Sequence, residues 1–179
     1  HIYIVRDNGS DLTQFTTHAS FNGFNQHLSW LDGGNTLRWN YDNFATGQKY
    51  LVQKTIGQQQ TDTLYTGDLG FLASFTNNVI LSAKGLRIST LDLNQQPLNL
   101  QEYASSLDGM FFNGLSWHPN GNKFYISKIG SLETAGLFEV DFATGAGTRL
   151  VQYCDKELIR SISCSPNGVY LVIEKLERQ

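Results

Sequence analysis

One phrase recurs along this chain and constrains its fold more than any other feature. SWHPNGNKFYI at Ser116–Ile126 is answered by SCSPNGVYLVI at Ser163–Ile173. Upstream, SWLDGGNTL at Ser29–Leu37 has the same shape, and SFTNNVIL at Ser74–Leu81 is an eroded copy. Each reads as strand, tight turn, strand: β-branched and aromatic residues flank Asn and Gly, which tolerate the positive φ that a hairpin turn demands. Gly34, Asn78, Gly121 and Gly168 mark the turns, and they recur at a period of about 40–50 residues.

A period of that length with several strands per unit is the signature of a β-propeller. The expected fold is therefore all-β and propeller-like, with about four blades of antiparallel strands. Such a set of blades makes a small closed ring, an open arc or a piece of a larger ring. Residues 1–179 read as a single domain of this kind, and a first residue His1 instead of Met suggests a fragment of a longer chain. A second recurrence supports the first: Asn43-Phe44-Ala45-Thr46-Gly47 returns as Asp141-Phe142-Ala143-Thr144-Gly145, with Leu91-Asp92-Leu93-Asn94 as a third version. Its expected form is an outer strand, a turn closed by the Asp or Asn side chain, and the outermost hairpin leg. Ile2–Val5 reads as a strand, Asp7–Asp11 as a turn, and Leu12–Thr16 as the start of the connection to the next blade. Ile56–Thr63, Ser105–Gly109 and Gly130–Gly136 read as loops. No helical period of apolar residues runs far enough to specify a helix, although Asp155–Ile162 admits one short turn.

Composition excludes several functions. Net charge is −3 and no basic stripe is visible, so direct nucleic-acid contact lacks the Lys and Arg on which phosphate affinity rests. No apolar run approaches the roughly 18–20 residues of a membrane-crossing helix, so any membrane link would run through a segment upstream of His1. Ser116 lies in GLSWH, which lacks the second Gly of a nucleophile elbow, and reads as a strand serine of the repeat. His1, His18, His27 and His118 show no metal-ligand spacing, leaving only ligands gathered from different blades; no cofactor or metal is expected. His118 reads as a turn-edge residue. Asp7–Asp11 lacks the spaced oxygens and distal Glu of a calcium loop. Cys154 and Cys164 read either as a disulfide or as two half-buried thiols. Trp30, Phe75, Trp117 and Cys164 share one repeat position and are expected between blades, with Trp39 on the same strand face as Leu37. Phe111 and Phe112 are the expected exposed binding contact, because adjacent strand residues cannot both bury their rings on one face. Arg38 and Arg87 could face inward or outward.

The S-x-S-P-N-G phrase and the opening IYIVRDNGSDLT segment resemble the repeats of TolB-like, WD-repeat-like β-propellers over nearly the whole chain. Only Pro119 and Pro166 keep the proline of that pattern. The resemblance implies a non-catalytic binding, sensing or protein-interaction module. Its hosts include a periplasmic protein that binds envelope partners and the part outside the membrane of CadC- or ToxR-like winged-helix transcriptional regulators. A third host is the propeller of prolyl-oligopeptidase-type peptidases, which implies an accessory role to a peptidase or metal-dependent hydrolase as the alternative. The regulator reading is preferred, with a periplasmic location and a protein or small-molecule ligand. An arc of blades exposes strand edges. These would be covered by pairing of Ile2–Val5 with the C-terminal blade or by a homodimer.

Overall fold

The computed structural model describes residues 1–16, 23–31, 33–74, 79–84, 86–103, 111–129, 134–153 and 157–177. Phe75, the Asn77-Asn78 turn, the loop at 105–109, most of that at 130–136, His18 and Cys154 lie outside the described residues. The described chain is all-β, with strands paired antiparallel and no helix. It forms two compact units, His1–Leu69 and Gly70–Gln179.

The first unit opens with a short hairpin, β1 (Tyr3–Ile4) and β2 (Thr13–Gln14). It continues as a four-stranded meander of β3 (Gly23–Trp30), β4 (Thr36–Asn43), β5 (Gln48–Thr55) and β6 (Asp62–Thr66). The second unit contains three sheets. Two are four-stranded meanders: β7 (Phe71–Ser74), β8 (Val79–Lys84), β9 (Arg87–Asp92) and β10 (Leu100–Glu102), then β11 (Phe111–Trp117), β12 (Lys123–Ile129), β13 (Gly136–Asp141) and β14 (Gly147–Gln152). The last is a hairpin of β15 (Glu157–Cys164) and β16 (Leu171–Glu177). Within this unit β11 lies beside β7 on one side and β15 on the other. The first strands of successive sheets are therefore neighbours, the arrangement of sheets set around an axis.

The repeated phrase is a repeated set of hydrogen bonds. In the β3–β4 turn Leu31 N–H donates to Thr36 C=O and Gly34 N–H to Leu31 C=O. The same two bonds recur as His118 to Lys123 and Gly121 to His118, and again as Ser165 to Tyr170 and Gly168 to Ser165. Closing the turn this way puts Gly121 at φ 72° and Gly168 at φ 73°, in the left-handed region that glycine enters without steric cost.

The FATG recurrence also reproduces its local geometry. Asn43 Oδ1 accepts from Ala45 N–H at 3.0 Å, Asp92 Oδ1 from Asn94 N–H at 2.9 Å, and Asp141 Oδ1 from Thr144 N–H at 2.8 Å. Its place in the sheet differs from expectation. Asp92 and Asp141 lead into the outermost strands β10 and β14, but Asn43 joins β4 to β5, the second and third strands. An Asx-capped turn satisfies any tight hairpin, so the motif fixes a bend and not a position.

Alternation places one face of each strand against the next sheet. In the first unit Ile2 and Phe15 from the N-terminal hairpin pack on Leu37, Trp39 and Val52. In the second, Leu81, Ala83 and Ile88 meet Trp117, Phe124, Ile126, Phe138 and Val140. Tyr125, Leu137 and Tyr153 then meet Ile159 and Ile162. Each cluster seals one sheet to its neighbour, and full burial of each large apolar side chain contributes about 1.5–3 kcal/mol.

Three expectations are corrected. Glu157–Cys164 is strand β15, not a helical turn: Ile159 and Ile162 are buried against the preceding sheet, and the strand pairs along its length with β16. Asp62 and Thr63 belong to β6, not to the preceding loop. Leu12–Thr16 does not lead away; Thr13–Gln14 returns to pair with β1. Gly9 N–H donates to Arg6 C=O, Ser10 N–H to Asn8 Oδ1, and Arg6 Nε lies 2.7 Å from Asp11, which together fold the chain back.

Candidate functional site

The first unit presents an open groove of about 420 Å³ whose walls include Ile4, Val5, Arg6, Asp11, Trp30 and Ile56. Its construction follows from the N-terminal hairpin. Thr16 Oγ1 accepts from Ile2 N–H at 2.9 Å, and Lys54 Nζ donates to Phe15 C=O at 2.7 Å with its ammonium 5.1 Å from the Phe15 ring centroid. These bonds fasten the hairpin over the β3–β6 sheet. Asp11, at φ 56°, turns the hairpin's far end; a left-handed non-glycine residue is uncommon, and Asp is one of the few that tolerates it.

Trp30 forms one wall and is 51% exposed, whereas Trp117 at the same repeat position is 7% exposed. Both are the last paired residue before the repeated turn, opposite Leu37 and Phe124 respectively. Trp117 is enclosed by Phe124, by Phe142 at 4.9 Å between centroids, and by the sheet before it. Within the first unit the two-stranded hairpin packs on Leu37 and Trp39 through Ile2 and Phe15, and Trp30 is not part of that cluster. Trp30 is thus a correction to the inter-blade expectation, which Trp117 bears out; Trp39, fully buried and donating from Nε1 to Asn25 Oδ1 at 2.8 Å, shares the buried cluster of Leu37 as expected. Val5 and Ile56 are also exposed.

A second depression, of about 450 Å³, lies beside Tyr3, Phe24 and Leu28. Phe24 and Phe44 meet edge to face at 4.9 Å, and both rings are exposed. Between them and Trp30, β3 bulges from Gln26 to Ser29, with His27 held at φ 53°. Burial pushes the His27 imidazole below its ordinary pKa, against the attraction of Asp42. Trp and Arg are the residues that most often anchor protein interfaces.

The residues expected from sequence fall as follows. Phe111 and Phe112 begin β11, paired by backbone with Ile129 and Lys128, ahead of a bulge before Gly114; their side chains lie outside the described residues. Ser116 Oγ accepts from Cys164 N–H at 3.1 Å and ties β11 to β15, a structural use of that hydroxyl. His118 Nδ1 sits 2.6 Å from Asn120 Oδ1, and its ring lies against Gly168 of the next turn. Cys164 is a free, half-buried thiol whose pKa burial pushes up, which makes it a poor nucleophile. Arg38 is buried with Nη2 on Gln53 Oε1 at 3.1 Å, and burial lowers its pKa to about 10. Arg87 is exposed and pairs with Glu102. Among the described residues no three His, Cys, Asp or Glu side chains are placed to hold a metal.

No family model matches the chain, and no curated protein matches it. Solved structures do. TolB from Acinetobacter baumannii superposes with a TM-score of 0.74 at 13% identity, covering 96% of this chain and 42% of TolB. The fold is that of a TolB-like β-propeller. A chain of the nidogen/laminin complex follows at TM-score 0.63 and 11% identity, over 85% of this chain and 57% of the other. A putative dipeptidyl aminopeptidase IV from Bacteroides ovatus matches at 0.59 and 10%, over 97% of this chain and 28% of that one. The propeller chain described here thus spans less than half the length of the TolB chain.

Proposed function

We propose that this propeller is a non-catalytic recognition module that binds a protein partner through the Trp30 groove. The single observation behind the reading is a tryptophan left bare at a repeat position that elsewhere builds core. It is accompanied by exposed Val5 and Ile56 and an Arg6–Asp11 pair at the rim. An apolar anchor with a charged rim suits a protein surface better than an enclosed small molecule. The host we favour is a membrane-bound winged-helix transcriptional regulator, with this propeller as its sensing part in the periplasm. The likeness to TolB, a periplasmic protein, supports that location. A homodimer covering the two-stranded terminal sheets belongs to the same proposal.

The test is the parent protein. A winged-helix segment upstream, followed by about 20 apolar residues, is the expected result, with Trp30→Ala abolishing its response while the purified variant stays folded. A parent chain ending in a hydrolase domain overturns the reading. The match to an aminopeptidase over nearly all of this chain favours that second reading, an enzyme-accessory propeller; peptidase turnover by the full-length protein would establish it.

A further inference from the structure

A second site lies in the first unit, at the edge of β3 and independent of the Trp30 groove. β3 is an end strand of its sheet, so residues from both of its faces reach a depression at that edge. The depression holds about 450 Å³ and is lined by Ile2 and Tyr3 from the N-terminal segment and by Phe24, Asn25 and Leu28 from β3. That volume falls in the range of small-ligand sites.

Asn25 supplies the polar group. Its Oδ1 accepts from Trp39 Nε1 at 2.8 Å. An indole N–H only donates, so the amide oxygen faces Trp39 and the amide nitrogen points away from it. Trp39 is fully buried, which holds the amide in place. The oxygen is spent on the core, and the two Nδ2 hydrogens have no partner among the described residues.

Aromatic rings supply flat apolar surface beside that amide. Tyr3 is 54% and Phe24 61% exposed. Phe24 meets Phe44 edge to face at 4.9 Å, so its ring is held before any ligand arrives. The described lining carries no Lys, Arg, Asp or Glu. An ionised ligand would lose hydration there without gaining a countercharge.

Amide donors next to a flat ring suit a molecule that is polar at its edge and apolar on its face. We propose that this depression binds a neutral sugar ring, its C–H face on Phe24 and a hydroxyl oxygen accepting from Asn25 Nδ2. The electron-rich face of an aromatic ring attracts the polarised C–H groups of a pyranose. The amide separates a sugar from a purely apolar ring, which would leave its donors unmet.

Saturation-transfer NMR on the full-length protein tests this, with glucose, galactose, mannose and N-acetylglucosamine as probes and phenol as the apolar comparison. At least one sugar should bind saturably at about millimolar affinity, the range for a ligand of that size, with transfer concentrated on the C–H protons of one ring face. Asn25→Asp keeps an oxygen for Trp39 and removes both Nδ2 hydrogens; it should weaken that binding about fivefold or more. Phe24→Ala, at an exposed position, should do the same, whereas Phe24→Tyr keeps the ring and the binding. If Asn25→Asp does not fold, the contrast between the two Phe24 variants decides. Absence of saturable sugar binding, binding of phenol in place of the sugars, or unchanged sugar affinity in folded Asn25→Asp or Phe24→Ala overturns the assignment.

Discussion

Gly168 shows how much one residue carries in this fold. It holds a left-handed φ of 73° with the His118 ring so close that a Cβ would fall 2.3 Å from Nε2. Gly34, at φ 67°, closes the same kind of turn with open space around it. Gly34→Ala should therefore cost only the left-handed penalty, about 1–2 kcal/mol, and Gly168→Ala more. In a His118→Ala background the two costs should converge. Denaturant unfolding of the single and double variants measures this, and an unchanged difference would remove the contact from the explanation. The sequence showed both glycines and their turns. It did not show that the two neighbouring turns touch, because that contact joins residues far apart in the chain. Lys54 was illegible for the same reason: a lysine in a strand reads as surface until the hairpin that buries it is in place.

At the scale of elements, the turns were legible and their addresses were not. Asp141 caps its hairpin with bonds from the Thr144 backbone N–H and hydroxyl, and these bonds hold its carboxyl below the usual range. A depressed carboxylate stabilises the fold above its unfolded pKa of about 3.9 and loses that contribution as pH falls through the folded value. Asp141→Asn should flatten the decline in stability below about pH 4 while changing the neutral-pH melting temperature little. A variant whose acid profile still matches wild type would show that this turn carries no such linkage. Asn43 makes the same bend between the second and third strands, which local sequence could not distinguish from the third and fourth. β15 was misread in part because Asp155–Ile162 carries charge without visible alternation; its pairing with β16 decides the conformation. Trp30 was misplaced because repeat equivalence assumes equivalent packing, and within the first unit the buried cluster built by the short hairpin takes in Leu37 and Trp39 without Trp30.

At the scale of the molecule, the recurrence of one hairpin phrase specified an all-β fold of successive sheets, and the likeness to TolB over 96% of the chain agrees with it. The candidate site was less legible. The expected pair, Phe111 and Phe112, has its side chains outside the described residues, while Trp30, Val5 and Ile56 are exposed where core was anticipated or nothing was. The most direct measurement is photo-crosslinking in the full-length protein in its own cells, with the reactive residue placed at position 30 and, as a control, at exposed Thr148. The account predicts a discrete protein adduct at position 30, lost when Val5→Asp and Ile56→Asp disrupt the groove, and none at position 148. Equal labelling at both positions, or none at position 30, would contradict it.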